Sequence, residues 1–506
     1  MSDFRTRVDL ASLRLGGAVM WANDEYFAEK ENLLRPEAAV WKEHEYTDRG
    51  KWMDGWESRR KRSPGNDSAL IRLGVPGVIR GVVVDTAFFR GNYPSHCALW
   101  ACDAPSDARV EDVLTDTTRW FPVLPKSELQ GNTQNDFAVN APWAFTWVRL
   151  DIFPDGGVAR LRVHGDVVPD WRRIGHARGE VDLAALEHGG DSLACSDMFF
   201  GERRNLISPN RAKNMSDGWE TRRRRGPGFD WNIVRLGAAG SVRRVEIDTN
   251  HFKGNFPDTC SLDAAFAPDA PLADLVEGRA PWRELLPRTK LQAHTRHLFE
   301  DALADVGEVT HVRLNVYPDG GVSRLRVHCA LSDDARRALG VNRLDTLQPE
   351  SAEAELRKCC GASRWVRAVA EGRPYGSAQA LFEAADRAWA DTGEADWREA
   401  FQSHPRIGET KAAAGQSATE KRWSTQEQRG ASGASDEARA ALAAVNQEYE
   451  ARFGHIYLVC ATGRSADELL AIARDRLHNT PGDELRVAAA EQHKITRLRL
   501  EKLLEP

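Results

Sequence analysis

The sequence lacks the cysteine spacing of a metal site or of a disulfide-stabilised domain. Its eight cysteines are scattered, only Cys359 and Cys360 are adjacent, and no CxxC pair occurs. It also lacks an apolar stretch near the roughly 20 residues that cross a bilayer, and MSDFRTRVDLASL has no apolar signal core. The net charge of -6 at pH 7 provides no overall basic field. We therefore expect a cytoplasmic protein in a reducing compartment, with no nucleic-acid or membrane partner.

A duplicated segment determines the domain plan. DGWESRRKR, which begins at Asp54, returns as DGWETRRRR at Asp217. When residues 54–99 are laid on 217–262 without a gap, 24 of 46 positions are identical. VRLDIFPDGGVARLRVH also returns, as VRLNVYPDGGVSRLRVH. The repeat is about 160 residues long, which is the size of a domain rather than of a solenoid unit.

Each repeat shows the period-two alternation of apolar and polar residues that is typical of strands. Val148, Leu150 and Ile152 alternate with polar residues, PDGG predicts a turn, and the alternation resumes over 159–163. This pattern predicts a hairpin. We therefore predict two tandem β-sandwiches of jelly-roll type, which cover residues 1–170 and 171–335.

The remainder, residues 336–506, is rich in Ala, Leu, Glu and Arg and has helical periodicity. Four apolar residues lie three or four positions apart and form one stripe: Leu442, Val445, Tyr449 and Phe453. Ser465 and Asp483 are predicted N-caps of two further helices. We predict an all-α helical bundle, with a short strand or extended piece at HIYLVCA.

The loop DGWE[ST]RR combines an aromatic ring with charges of both signs. Trp56 offers an apolar wall, Glu57 can accept N–H bonds or exchange protons, and Arg59 suits a carboxylate or ureido oxygen. DTAFFRGNYP and DTNHFKGNFP then place polar groups in a loop after a strand, where sandwiches hold binding residues. The alternative is structural, with Asp85 and Thr86 bonding the loop backbone while Trp56 and Arg59 tie the sandwich together.

These motifs resemble those of allantoicase over about residues 10 to 332. The resemblance implies two jelly-roll (galactose-binding-like) domains that hydrolyse allantoate, a carboxylate with two ureido arms, to (S)-ureidoglycolate and urea. Four carboxylates are predicted to do acid–base work: Glu57, Glu220, Asp54 and Asp217. Four further residues are predicted to hold the substrate: Arg59, Arg222, Asn92 and Asn255. Which repeat is catalytic stays open.

Histidines raise the question of a metal in this half. His164 and His328 occupy the same strand end in both repeats, where we expect hydrogen bonding. The second repeat adds four more histidines: His251, His294, His297 and His311. No HxH or HExxH spacing occurs, so no metal ligand is assigned. A divalent metal stays open for the allantoicase-like half, although no motif supports it.

In the helical part, FQSHPRIGE places an imidazole at the end of a helix. ADWREAF is typical of a helix, which must end near His404 because Pro405 disfavours the α conformation in the residue before it. An imidazole titrates near neutral pH and suits proton transfer. WSTQEQRGA supplies Glu427 and Gln428 downstream, and GRSADELL supplies Arg464.

The order of HPRIG, S-x-x-E-Q, N-x-x-Y-x-x-x-F-G, GRSADELL, RLHN and E-x-x-K-I-x-x-x-R-L-x-K-L resembles a second family. This is the decarboxylase of 2-oxo-4-hydroxy-4-carboxy-5-ureidoimidazoline (OHCU), matched from about Leu344 to the end. The resemblance implies cofactor-free formation of (S)-allantoin, with His404 and Glu427 carrying the proton chemistry. It also implies a substrate pocket formed by Pro405, Ser424, Gln428, Arg464 and the backbone of 457–461.

Together the two resemblances predict a bifunctional enzyme of purine catabolism that acts on small molecules. One alternative is an OHCU decarboxylase whose double sandwich is a non-catalytic ligand-binding or scaffold module. Another is an allantoicase whose helical part is an inactive oligomerisation unit. We expect the sandwich half to self-associate, which makes the protein a homo-oligomer.

Overall fold

The structure of the protein is a computed structural model that describes residues 4–169, 171, 174, 179–407, 418–427 and 436–505. The chain divides into two compact units, Met1–Ala335 and Arg336–Pro506, which we call the sandwich unit and the helical unit. Within the described ranges, no helix has both the length and the apolarity needed to cross a membrane.

The first repeat of the sandwich unit consists of short and long strands around one brief helix. In chain order they are β1 (Val8–Asp9), β2 (Ala18–Ala22), β3 (Tyr46–Thr47), β4 (Gly50–Lys51), β5 (Trp56–Glu57), β6 (Asp67–Asp85), β7 (His96–Cys102), α1 (Val110–Val113), β8 (Phe121–Glu128), β9 (Gln134–Ala138), β10 (Ala144–Phe153), β11 (Gly157–Val158) and β12 (Arg160–Val167). The main strand order is β1-β12-β6-β10-β7-β8, with β2 and β9 also paired to β6.

The second repeat reproduces this arrangement. Its elements are β13 (Val181–Asp182), β14 (Asp191–Cys195), β15 (Trp219–Glu220), β16 (Asp230–Asp248), β17 (Thr259–Ala265), α2 (Leu272–Val276), β18 (Arg283–Lys290), β19 (Arg296–Phe299), β20 (Glu308–Tyr317), β21 (Gly321–Val322) and β22 (Arg324–Ala330). Its strand order is β13-β22-β16-β20-β17-β18, with β14 and β19 also on β16. The sequence repeat is therefore a structural repeat.

One long strand organises each sandwich. In the first repeat β10 pairs with one end of β6, at 67–78, and β12 pairs with the other end, at 77–85. The predicted hairpin across PDGG is therefore wrong, because β10 and β12 both pair with β6 instead of with each other. The segment after the turn, β11, pairs with β5 and so holds the repeated WE dipeptide against the PDGG loop.

The alternating residues of these strands form the core of the first sandwich. Val82 and Val84 of β6 are completely buried, as are Val148 and Leu150 of β10 and Leu161 of β12. Burying each such side chain contributes about 1.5–3 kcal/mol relative to leaving it in water. The predicted period-two strands with one buried face are therefore confirmed.

The described residues of the helical unit form helices and contain no strand. The helices are α3 (Asp333–Thr346), α4 (Pro349–Arg357), α5 (Ser363–Glu371), α6 (Ala378–Ala390), α7 (Glu394–Phe401), α8 (Ala418–Glu427), α9 (Asp436–Phe453), α10 (Ala466–Arg476) and α11 (Pro481–Leu504). The predicted apolar stripe lies on α9, and its four side chains are buried in one cluster. The predicted fold class, two β-sandwich repeats followed by an all-α domain, is confirmed.

Two local predictions have different outcomes. Ser465 is the N-cap of α10, where its hydroxyl accepts the Glu468 N–H and the Glu468 carboxylate accepts the Ser465 N–H. Asp483 is not an N-cap, because α11 begins at Pro481 and the Thr480 hydroxyl caps it. Proline suits the first helical position, which is the signal that favours Thr480. The segment HIYLVCA, which is described throughout, forms no strand.

Candidate functional site

A cavity in the helical unit gathers most of the predicted decarboxylase residues. The residues that line it are His404, Pro405, Ile407, Ser424, Glu427, Tyr457, Leu458, Val459, Ala461, Thr462, Ile495, Leu498 and Arg499. The structure thus brings together His404, Pro405, Ser424 and Glu427. The predicted Gln428 lies outside the described residues. Arg464 is half-buried and is not among the described residues that line the cavity.

Two helices and two segments between helices supply these groups. The helix α7 ends at Phe401, as predicted, and the chain then presents His404 and Pro405 to the cavity. The last turns of α8 carry Ser424 and Glu427. The long helix α11, which is the last helix of the chain, contributes Arg499. Because each group sits on or beside a helix, packing of the bundle determines the geometry of the cavity.

A buried ion pair forms one wall. Arg499 donates from Nε to Glu427 Oε1 at 3.1 Å and from Nη2 to Oε2 at 2.9 Å, in a two-point contact. Lys502 Nζ adds a bond of 3.1 Å to Oε1, and Arg499 also reaches the Ser424 hydroxyl at 3.2 Å. The Arg499 side chain is only 2% exposed. Burial raises the pKa of Glu427, but the two cations outweigh this and lower it, so Glu427 is ionised.

His404 is neutral beside this pair. Burial, followed by the charge of Arg499, lowers the pKa of His404 to about 3, although Glu427 and Gln492 oppose the shift. Its Nε2 atom is buried and has no hydrogen-bond partner among the described groups. A buried nitrogen without a hydrogen-bond partner destabilises the fold unless a ligand supplies the partner. The imidazole is therefore arranged to accept or donate one bond to a molecule in the cavity.

Arg499 was missed as a site residue. The motif E-x-x-K-I-x-x-x-R-L-x-K-L contains it, together with Lys502, but the two cations look like solvated helix charges in the sequence. The signal that could have identified Arg499 is its spacing of four positions from both Ile495 and Leu503, which places it on the buried face of α11.

Replacing Arg499 with Met should strongly destabilise the helical unit. The substitution leaves Glu427 buried with a single cation, and breaking a buried pair in this way costs about 3–5 kcal/mol. Urea-induced unfolding measures the loss. On the same helix, Arg486 pairs with Asp483 at the surface, with side chains 71% and 61% exposed, so Arg486→Met should cost about 0–1 kcal/mol. A loss under about 1 kcal/mol for Arg499→Met would contradict the buried-pair assignment.

The depressed pKa of His404 predicts the acid stability of this unit. In the unfolded chain the imidazole titrates near 6.5, and in the folded chain near 3. Between these values the unfolded state binds more protons than the folded state. The contribution of neutral His404 to the free energy of unfolding is therefore fully present above pH 6.5. As the pH is lowered from 6.5 towards 3, this contribution decreases by at most about 1.4 kcal/mol per pH unit. We expect the Tm of His404→Asn to fall less between pH 7 and pH 5 than that of the unsubstituted protein in calorimetry. Parallel pH slopes would contradict the assignment.

In the sandwich unit, each repeat holds a glutamate against an asparagine amide. Asn92 Nδ2 donates to Glu57 Oε1 at 2.8 Å, and Asn255 makes the same bond to Glu220. Each glutamate ends the two-residue strand β5 or β15, and each asparagine belongs to the GN-aromatic-P loop. Burial raises the pKa of both carboxyls, although the amide bonds act in the opposite direction. The structure thus brings together two predicted residues in each repeat.

The predicted arginines follow these glutamates by two positions in the sequence and are exposed. Arg59 bonds Asp24 at 2.8 Å and sits 5.0 Å from the centre of the Tyr26 ring. In the second repeat, Arg222 lies 3.7 Å from Asp197 and 4.7 Å from the centre of the Phe199 ring. Their side chains are 65% and 66% exposed. An aromatic ring and a carboxylate therefore hold each guanidinium at the surface with part of it free for an anion.

The predicted aspartates lie elsewhere, in interior ion pairs. Arg160 binds Asp54 at 2.9 Å with both side chains almost fully buried, and Arg324 binds Asp217 at 3.1 Å. Burial raises the pKa of Asp54, but its bonds to Arg160 and to the Val40 N–H outweigh this and lower it. The adjacent tryptophan is structural, since Trp56 is completely buried and donates to the Asp24 carbonyl at 2.8 Å.

His164, one of the two histidines that the repeats share at this strand end, is hydrogen-bonded. His164 Nδ1 lies 2.9 Å from the Arg7 carbonyl oxygen, so strand-end hydrogen bonding is confirmed for this residue. The structural alternative is confirmed for Asp85 and Thr86, which bond the loop backbone at Ala87 and Gln130. Within the described part of the chain, no three His, Cys, Asp or Glu side chains are grouped as metal ligands would be.

Comparison with known proteins identifies both parts of the chain. The model of the allantoicase repeat matches residues 8–168 and 181–332, and that of OHCU decarboxylase matches residues 345–501. A probable allantoicase of Pseudomonas fluorescens is 51% identical over 324 residues, which are 64% of this chain and 96% of the relative. A probable allantoicase of Photobacterium profundum is 50% identical over 326 residues, which are 64% of this chain and 97% of the relative.

A solved structure supports the match of the sandwich unit. The crystal structure of allantoicase from Saccharomyces cerevisiae is 34% identical, with a TM-score of 0.54, and the match covers 64% of this chain and 92% of that chain. No observation favours a sandwich unit without catalytic function. The chain therefore belongs to the allantoicase family and carries a C-terminal OHCU decarboxylase domain, a hydrolase and a lyase of purine and allantoin catabolism in one bifunctional polypeptide.

Proposed function

We propose that Glu57 and Glu220 carry out the proton transfers of allantoate hydrolysis. The observation that supports this most strongly is the same carboxyl–amide pair in both repeats, with the carboxyl pKa raised by burial. A raised pKa keeps a larger fraction of the acid protonated near neutral pH, which suits general acid catalysis. The amides of Asn92 and Asn255 hold the carboxyls in position.

The products define what the acid must do. Formation of ureidoglycolate and urea breaks the bond from the central carbon of allantoate to one ureido nitrogen and adds a hydroxyl group there. The leaving nitrogen needs a proton, which Glu57 or Glu220 donates. The carboxylate formed then accepts a proton from the attacking water, so the acid is restored and the reaction consumes one water.

The other predicted residues take supporting roles in this proposal. Arg59 and Arg222 are exposed and held by neighbouring groups, so each offers its remaining N–H groups to the carboxylate of allantoate. Asp54 and Asp217 are engaged by buried arginines, and we assign them to the support of the loop rather than to proton transfer.

In the helical unit, we propose that His404 transfers a proton between two positions of OHCU. The neutral imidazole accepts the proton of the substrate hydroxyl group as CO2 leaves, and the substrate ring delocalises the electron pair. The imidazolium then returns this proton to one face of the ring carbon, which determines the handedness of allantoin. The remaining proton that the reaction consumes comes from solvent.

The surrounding groups favour this sequence. Glu427 is ionised, so its charge stabilises the imidazolium that forms beside it. Arg499 fixes Glu427 and places a positive charge at the cavity wall, where a carboxylate of the substrate is bound. Arg464 stays a proposed contact at the edge of the site, since it follows Thr462 of the cavity wall by two positions.

The decarboxylase family acts without a cofactor, and the scheme for His404 uses protein groups alone. For the hydrolase, a divalent metal stays open, and dialysis against EDTA followed by a urea assay decides it. The homo-oligomer and the cytoplasmic location stay predictions. Substitution of Glu57, Glu220 and His404, with both reactions assayed on each variant, tests the proposed function.

A further inference from the structure

The second sandwich carries a charged cleft of about 560 Å³ that involves neither glutamate–asparagine pair. Its floor is the polar face of β16, β22 and β19. The residues that alternate along these strands are Arg244, Glu246, Asp248, Arg324, Arg326, His328 and Arg296. Their neighbours on the same strands, such as Val245, Ile247 and Val327, are completely buried in the core. The fold therefore presents a largely charged floor on one face of the sheet, with Leu298 of β19 as an apolar member.

The cations of the cleft have unused hydrogen-bonding capacity. Arg326 Nη2 donates to the carbonyl groups of Ser208 at 2.6 Å and Asn210 at 2.8 Å, which fixes the guanidinium. Its Nη1 atom is buried and has no partner among the described groups. Arg211, on the rim, is 64% exposed, and its ion pair with Asp248 is long, at 3.9 Å. A fixed donor inside and an exposed guanidinium at the rim are suited to a carboxylate.

Acceptors lie beside these donors. Asp248 faces Arg324 and Arg296 across the sheet and is 1% exposed, with Oδ1 bonded to the Asn250 N–H at 2.8 Å. Glu246 faces Arg326 and accepts from Arg296. The cleft therefore has anionic oxygen atoms as well as arginines. A highly charged anion such as phosphate would be repelled by the carboxylates, whereas a carboxylate ligand with N–H groups would bond to both.

The first repeat has closed the corresponding groove. Ala38, Gly81 and Val83 stand where the second repeat has Arg211, Arg244 and Glu246. A side chain at Gly81 would collide with the Phe4 ring, since its Cβ would lie 2.0 Å from that ring. His164, the counterpart of His328, packs against the same ring at 5.9 Å. The first repeat therefore lacks three of the charged groups that line the cleft of the second repeat, and the Phe4 ring occupies the corresponding groove.

We propose that the cleft of the second repeat binds a small carboxylate that carries ureido N–H groups. The carboxylate bonds to Nη1 of Arg326 and to Arg211, with Arg244 nearby, and the N–H groups bond to Asp248. This site is additional to the proposed catalytic pairs, because Glu57 and Glu220 are not part of it. Ligands of this class include the substrate and product of the hydrolase, so the cleft would sense or retain them on one repeat only.

Calorimetric titration of the full chain with N-carbamoylglycine tests the proposal, because this probe has one carboxylate and one ureido arm. We expect saturable binding, with Arg211→Ala/Arg244→Ala weakening the affinity at least tenfold. Among the described residues, Arg211 and Arg244 form ion pairs of 3.5 Å or longer, so the variant should fold, which its unchanged Tm checks. Arg109→Ala/Arg279→Ala removes two exposed arginines elsewhere and should leave the affinity within twofold.

Acetate lacks the N–H groups and urea lacks the carboxylate, so each should bind at least tenfold more weakly than N-carbamoylglycine. Equal affinity for acetate, equal weakening by the two double variants, or no saturable binding would overturn the proposal. The outcome is separable from the catalytic assignment, since Glu57→Gln/Glu220→Gln should retain this binding while losing urea release.

Discussion

The His404→Asn protein should convert OHCU about a hundred- to ten-thousand-fold more slowly than the unsubstituted protein, and its residual allantoin should be racemic. The rate falls because Asn cannot accept the hydroxyl proton or return it to carbon, and general acid–base catalysis contributes this factor. Handedness is lost because no group then directs the proton to one face. Polarimetry of freshly generated OHCU follows rate and handedness in the same trace.

Two controls isolate the role of His404. Urea release from allantoate, which belongs to the other unit, should be unchanged in the same preparation. His478 lies at the surface, where its Nδ1 is 3.2 Å from the Asp475 carbonyl, so His478→Asn should keep both activities. A His404→Asn protein with unchanged rate and handedness would refute the proton transfer that we assign.

Glu57→Gln/Glu220→Gln should lose urea release by a similar factor of about a hundred to ten thousand. Glutamine has nearly the same shape and can still bond Asn92 or Asn255, but it cannot exchange a proton. The single variants identify the working repeat: if one repeat is catalytic, only one of them loses activity. A coupled urea assay with allantoate measures the three variants.

Glu25 supplies a matched control in the first repeat. Its carboxylate is exposed and bonds Lys30 at 3.2 Å, so Glu25→Gln should release urea at the unsubstituted rate. If both Glu57→Gln and Glu220→Gln retained full urea release, together and separately, the glutamate–asparagine pairs would be structural, and the exposed arginines would have to serve another site.

The repeat and the fold class could be predicted because they depend on local information. The 24 identities in 46 positions appear without any knowledge of contacts, and alternation along a strand shows which face is buried. The hairpin failed because period two does not tell which strand is the partner. In the fold, both strands bind the long β6, whose 19 residues are long enough to serve β10 at one end and β12 at the other.

The lining of the cavity could be predicted where a motif carried it, but the surroundings of a group could not be predicted where they depend on a residue far away in the sequence. Asp54 looked catalytic because the arginine that engages it lies 106 positions away. Arg499 looked like a surface charge because its partner Glu427 lies 72 positions away. In both cases packing decides whether a charge faces water or another charge, and the pKa follows from that contact.

The central claim is tested most directly by assaying both reactions in the same preparation of each of two variants. We predict crossed losses: His404→Asn loses optically active allantoin and keeps urea release, while Glu57→Gln/Glu220→Gln loses urea release and keeps optically active allantoin. If a folded variant lost both activities, or if a variant lost neither activity, the assignment of these residues to two independent sites would be contradicted.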